Sequence, residues 1–97
     1  MKLSSTHINT IRQFFSGLPI TKAYLFGSYS RNEADEDSDI DILVELDHSK
    51  PIGMQFFTYA DGLQTLLKKK VDIVSYDGLS KYIKPIIDKD KVLIYER

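Results

Sequence analysis

No cysteine occurs among the 97 residues, which excludes both a disulfide framework and a thiolate zinc site. That composition suits a reducing compartment, and the cytoplasm is the expected location. No apolar run approaches the ~20 residues that span a bilayer. The polar stretch from Met1 to Thr10 lacks the apolar segment of a signal peptide, so no membrane association is expected. Charge of one sign is not in excess: the formal net charge is -1 with 28% charged residues. Non-specific nucleic-acid binding relies on a basic surface, so no direct nucleic-acid partner is expected. Tryptophan is absent, and no internal repeat or low-complexity segment is visible.

What is present suffices for one core. Hydrophobic residues make up 42% of the chain, with Tyr and Phe as the aromatics, and a single domain over 1–97 is expected. Ser4 and Ser5 can cap a helix from about Thr6, whose stripe of Ile8, Ile11, Phe14 and Phe15 runs to Gly17. Thr21 to Phe26 reads as a strand stopped by Gly27. A short helix is expected from Ser28, then an acidic loop from Asn32 to Ser38. Asp39 to Leu46 reads as a second strand with Ile40, Ile42 and Val44 on one face and Asp39, Asp41, Leu43 and Glu45 on the other. A long helix is expected from Gly53 to Lys69, with Gly62 as a weak point of roughly 1 kcal/mol against Ala. Val71 to Ser75 reads as a third strand. Leu79 to Asp88 reads as a helix in which Pro85 forces a kink or a late start. Val92 to Tyr95 reads as a last strand. The fold class is mixed α/β (α+β), a small sheet with helices packed against it.

Two stretches carry chemistry. Asp39 and Asp41 lie on one face of a strand, roughly 7 Å apart at a rise of about 3.3 Å per residue. Two carboxylates so placed repel unless a cation lies between them, and hard oxygen donors favour Mg²⁺ or Mn²⁺. The alternative is the solvent face of an amphipathic strand. Gly27-Ser28 permits a tight turn whose free N–H groups and hydroxyl point at an anion, or a plain turn with Ser28 as a helix cap. Arg31 fits a phosphate or an acid such as Asp39 equally well. Asp72, alone among apolar neighbours, belongs either at a wet strand edge or beside Asp39 and Asp41, where it could bind a second metal or take a proton from a hydroxyl. The Lys68-Lys69-Lys70 run reads as a solvated helix end.

Leu25-Phe26-Gly27-Ser28-x-x-Arg31, with ten residues between Ser28 and Asp39, then Ser38-Asp39-Ile40-Asp41-Ile42-Leu43-Val44 and Asp72 between Val71 and Ile73, resembles the nucleotidyltransferase fold of the DNA polymerase β superfamily. The pattern is most similar to the minimal nucleotidyltransferases (MNT). Ser30 departs from a usual small apolar residue, and Asn32 from a frequent Gly. The resemblance implies that Gly27, Ser28 and Arg31 bind the triphosphate of ATP and that Asp39, Asp41 and Asp72 are catalytic and bind two Mg²⁺ ions, with Mn²⁺ as an alternative. It further implies an antitoxin that transfers AMP to a tyrosine of a HEPN-domain toxin within a hetero-oligomer. Neutralisation by binding alone and transfer to a small-molecule acceptor are the alternatives.

Overall fold

A computed structural model describes residues 3–35 and 37–97. Helix α1 spans Ser5–Ser16; Ser4 caps it, its hydroxyl accepting from the His7 amide, and Ile11 and Phe15 are its buried face. Strand β1 is Ile20–Phe26 and β2 is Ile40–Leu46. Helix α2 is Tyr59–Leu67, β3 is Val71–Ser75, α3 is Lys84–Asp90 and β4 is Val92–Glu96. The sheet order is β3-β2-β1-β4. Only β2 and β3 run parallel, joined through α2; the β1–β2 and β1–β4 pairs are antiparallel.

Alternation along the strands sets the layers. Ala23, Leu25, Ile42, Val44, Val71 and Ile73 face α1 and α2, whose Ile11, Phe15, Tyr59, Leu63 and Leu67 complete one core. Leu43 points to the opposite face and is fully buried there. Helix α3 lies on that side, with Ile87 as its buried residue. The mixed α/β fold class expected from the sequence is the one observed.

Three expectations are corrected. No helix follows Ser28; residues 27–32 form hydrogen-bonded turns ended by Asn32 at φ 58°. The long helix is divided: Gly53–Thr58 is a 3₁₀ segment with no buried residue, and the α-helix begins only where Tyr59, Leu63 and Leu67 supply a buried stripe at i, i+4, i+8. It ends at Lys68, left-handed at φ 56°, so the lysine run follows the helix instead of completing it. The last helix takes the late start that Pro85 allows, with the proline in its first turn.

Gly62 has a packing role. A Cβ there would meet Phe14 Cζ at 3.1 Å, so the missing side chain is what lets α1 lie close against α2.

Candidate active site

Register brings the acids together. Asp41 of β2 stands opposite Phe26 of β1 and opposite Asp72 of β3. Residues in register on neighbouring strands share a face about 4.8 Å apart, so Asp72 lies beside Asp41. Asp39 sits two residues upstream, just before the strand begins. Asp72 is exposed, whereas Asp41 and Asp39 are half-buried.

The electrostatics follow from this placement. The carboxyl of Asp41 is pushed above its ordinary range first by burial, then by the charges of Asp72 and Asp39; Arg31 opposes the shift. Asp39 is drawn to Lys70, 3.7 Å from its carboxylate. Arg31 pairs with acids other than Asp39. Its guanidinium bonds Glu33 and Asp90, each at 3.2 Å, and so ties the turn to the end of α3.

Gly27 is required twice over. Its φ is +72°, and a Cβ on it would stand 2.5 Å from Asp41 Oδ2. Its carbonyl accepts from the amides of Ser30 (3.1 Å) and Arg31 (3.3 Å) and from the Ser30 hydroxyl (2.7 Å). The Ser28 carbonyl accepts from the Glu33 amide at 2.9 Å. Among the described residues the amides of Ser28 and Tyr29 have no acceptor, which leaves two donors for an anion. Both departures at this turn have a physical account: Ser30 buttresses Gly27, and Asn32 is the non-glycine residue that best tolerates its left-handed backbone. The Tyr29 ring is buried and anchors the turn in the core.

Deeper on the same face, the Tyr24 hydroxyl donates to Glu45 at 2.7 Å, and its pKa is pushed up to about 12 by burial and then by that bond. Lys91 lies over the rings of Tyr24 (4.5 Å) and Tyr76 (5.5 Å) and pairs with Asp88 at 2.8 Å. Sequence reasoning did not single out Lys91. Its place on this face depends on how β4 pairs with β1, which no local spacing reveals.

The donor set suits a hard cation. Among the described residues no three carboxylates or imidazoles already form a cage. Magnesium does not require one, since it commonly binds through one or two carboxylates plus substrate phosphates. A half-buried Asp41 carboxyl, raised by two like charges, is a centre that a cation would relieve.

Residues 9–97 match the family model described as Polymerase beta, Nucleotidyltransferase. The chain belongs to this nucleotidyltransferase family. It is 45% identical over 71 residues to a Methanocaldococcus jannaschii protein provisionally named a protein adenylyltransferase, covering 72% of this chain and 71% of that one. It is 32% identical over 90 residues to protein adenylyltransferase MntA of Thermococcus cleftensis, covering 93% of this chain and 87% of that one. Two solved structures share the fold. A toxin-antitoxin with AMP-PNP has a TM-score of 0.80 at 24% identity over 93% of this chain and 73% of that one. A tri-AMPylated Shewanella oneidensis HEPN toxin in complex with MNT antitoxin has a TM-score of 0.75 at 22% identity over 98% and 74%. The resemblance drawn from the Gly27-Ser28 and Asp39-Ile40-Asp41 motifs is therefore one of family as well as of fold, and the nucleotidyltransferase acts as a transferase on nucleotide substrates.

Proposed function

We propose that this nucleotidyltransferase moves AMP from ATP to a tyrosine hydroxyl of a HEPN toxin and thereby serves as its antitoxin, in a hetero-oligomer with that partner. The observation that carries the reading is the register that sets Asp72 beside Asp41, with the Gly27 turn closing over the Asp41 carboxylate. The relatives named as protein adenylyltransferases and the toxin-antitoxin structures of the same fold support it.

The amides of Ser28 and Tyr29, with the Ser28 hydroxyl, would hold the triphosphate oxygens, and Arg31, whose charge already opposes the rise of the Asp41 pKa, would lend a positive group. Asp39, Asp41 and Asp72 are the residues that would hold Mg²⁺ or Mn²⁺; when bound, the ion neutralises the triphosphate and polarises its phosphorus centres. Asp72, open to solvent, would receive the proton of an incoming hydroxyl. The acceptor oxygen bonds to the α-phosphorus as the bond to pyrophosphate breaks, so the chain's contribution is positioning and charge neutralisation.

The test incubates the chain with labelled ATP, Mg²⁺ and the purified HEPN toxin. Label on the toxin, lost in the Asp39→Asn, Asp41→Asn double variant, is expected. If that variant neutralises the toxin fully and the wild type transfers no label, the antitoxin acts by binding alone. Label appearing on a small hydroxylated metabolite and not on the toxin would point to the small-acceptor reading.

A further inference from the structure

The Lys68-Lys69-Lys70 run stands at the turn from α2 into β3. Lys68 is the left-handed residue that ends the helix, and Lys70 immediately precedes the strand. Among the described residues, Lys70 is the member of the run that pairs with an acid: its ammonium lies 3.7 Å from the Asp39 carboxylate. Solvation of a helix end does not select that partner; the sheet does.

The parallel ladder fixes the pairing. Ile40 stands opposite Val71 and Asp41 opposite Asp72, so Asp39 and Lys70 are each one residue upstream on the two neighbouring chains. Val71 is buried and Asp72 exposed, and alternation puts Lys70 on the Asp72 side. That side therefore presents Asp39 beside Lys70 and, two residues on, Asp41 beside Asp72: three acids and one cation in a single patch. The Ile40 amide donates to the Lys70 carbonyl at 2.9 Å, and the Gln64 side chain accepts from the Val71 amide at 2.9 Å, so the backbone at this corner is held from two directions. The side chain is not held in the same way. It is 75% exposed, on a flexible stem that ends in three donors.

An ammonium and a divalent ion compete for the same carboxylate, because two cations beside one acid repel each other. Magnesium commonly binds through one or two carboxylates plus substrate phosphates. A phosphate that shares an ion with Asp39 therefore comes within the swing of the Lys70 stem. On the metal and triphosphate reading above, we propose that Lys70 is a nucleotide-binding residue that works by exchange. Its ammonium neutralises Asp39 in the nucleotide-free chain, gives up that carboxylate to the divalent ion, and turns to a phosphate oxygen of ATP. Lys70 thus weakens binding of the metal alone and strengthens binding of the metal with its nucleotide, which couples the two ligands.

Wild type, Lys70→Met, Lys70→Arg and Lys68→Met are compared without toxin. Mn²⁺ alone is titrated, with the free ion counted by electron paramagnetic resonance, and ATP is titrated by calorimetry at saturating Mg²⁺. Lys70→Met is expected to bind Mn²⁺ about fivefold more tightly than wild type, because one repelling charge is gone. The same variant is expected to bind ATP about tenfold more weakly, because a charge-assisted bond to phosphate is lost. In transfer from labelled ATP its KM for ATP rises by the same factor. Lys70→Arg keeps the charge and is expected to return both affinities to within about twofold of wild type. Lys68→Met removes an equal charge two residues away and leaves both at wild-type values. A merely structural role would weaken both ligands together. Affinities of Lys70→Met that move in the same direction, or either one within twofold of wild type, overturn the proposal. So does the same pair of shifts in Lys68→Met, which would make the effect one of diffuse charge, or a wild type that binds no Mn²⁺. A wild type that binds both ligands but transfers no label to the toxin defeats the transfer reading alone, since the two affinities still decide the role of Lys70.

Discussion

Replacing Gly27 with alanine separates a backbone effect from a site effect in one substitution. The backbone at Gly27 sits at φ +72°, where an L-residue costs roughly 1–2 kcal/mol. For a domain of this size that corresponds to a fall in melting temperature of about 4–16 °C. The new Cβ would also stand 2.5 Å from Asp41 Oδ2. That atom is the end of a side chain, so the carboxylate can swing aside at little further cost to folding. It cannot then remain where Asp72 and the turn amides converge. A displacement of about 1 Å at a reacting centre costs on the order of 100-fold in rate. Gly27→Ala should therefore fold, melt lower by circular dichroism, and transfer nucleotide about 100-fold more slowly at a temperature where it is fully folded. Activity within twofold of wild type at that temperature would refute the argument that Gly27 positions Asp41. An unchanged melting temperature would refute the backbone half independently.

Asp41→Asn should raise the melting temperature at neutral pH while abolishing transfer. The folded state raises the Asp41 pKa, so the native protein binds more protons than the unfolded chain from the ordinary value of 3.8 upward. Stability then falls as pH rises through that window, and the advantage of the variant should vanish below it; added Mg²⁺ should stabilise wild type and leave Asp41→Asn unmoved. Asp47 has the opposite sign. Bonds from Ser49 and Arg97 lower its pKa to about 2, so its stabilisation is present above 3.8 and lost as pH falls toward 2, and acid titration of Asp47→Asn should be flatter across that range. Gly62→Val should destabilise by about 1–3 kcal/mol through overpacking against Phe14, read by urea denaturation; a neutral result would mean that α1 yields freely.

The sequence exposes what depends on neighbours along the chain and hides what depends on neighbours across it. Ser4 as a cap, the Ile11 and Phe15 stripe, the bounds of β3 and the late start at Pro85 are all local, and all are legible. The turn after Gly27 is misread as a helix because a Gly-Ser followed by Tyr-Ser-Arg satisfies helix-start chemistry; what ends it is the left-handed Asn32, and asparagine alone does not announce that. Residues 53–58 look helical by composition, yet Met54 and Phe57 face solvent, and no periodicity shows that a face will go unburied. The ion pair from Arg31 to Asp90 spans 59 positions, and the placement of Lys91 over Tyr24 spans the sheet.

The triad of acids shows where the boundary lies. The alternation Val71-Asp72-Ile73 fixes which face Asp72 takes, because a slip by one residue would drive its charge into the core and expose Val71 and Ile73. Slips by two are not forbidden by that alternation; they would carry Asp72 about 7 Å along the strand and away from Asp41. What holds the actual register is tertiary. The Ile40 amide donates to the Lys70 carbonyl at 2.9 Å, and the Gln64 side chain of α2 accepts from the Val71 amide at 2.9 Å. The end of α2 thus clamps the first residue of β3, and the carboxylates meet because a helix terminus has been fastened to a strand. A Gln64→Leu variant removes the acceptor and leaves the Val71 amide unpaired, at a cost of about 1–3 kcal/mol. Its transfer rate should fall although every acid is intact. Full activity in that variant would mean that the parallel ladder alone sets the register.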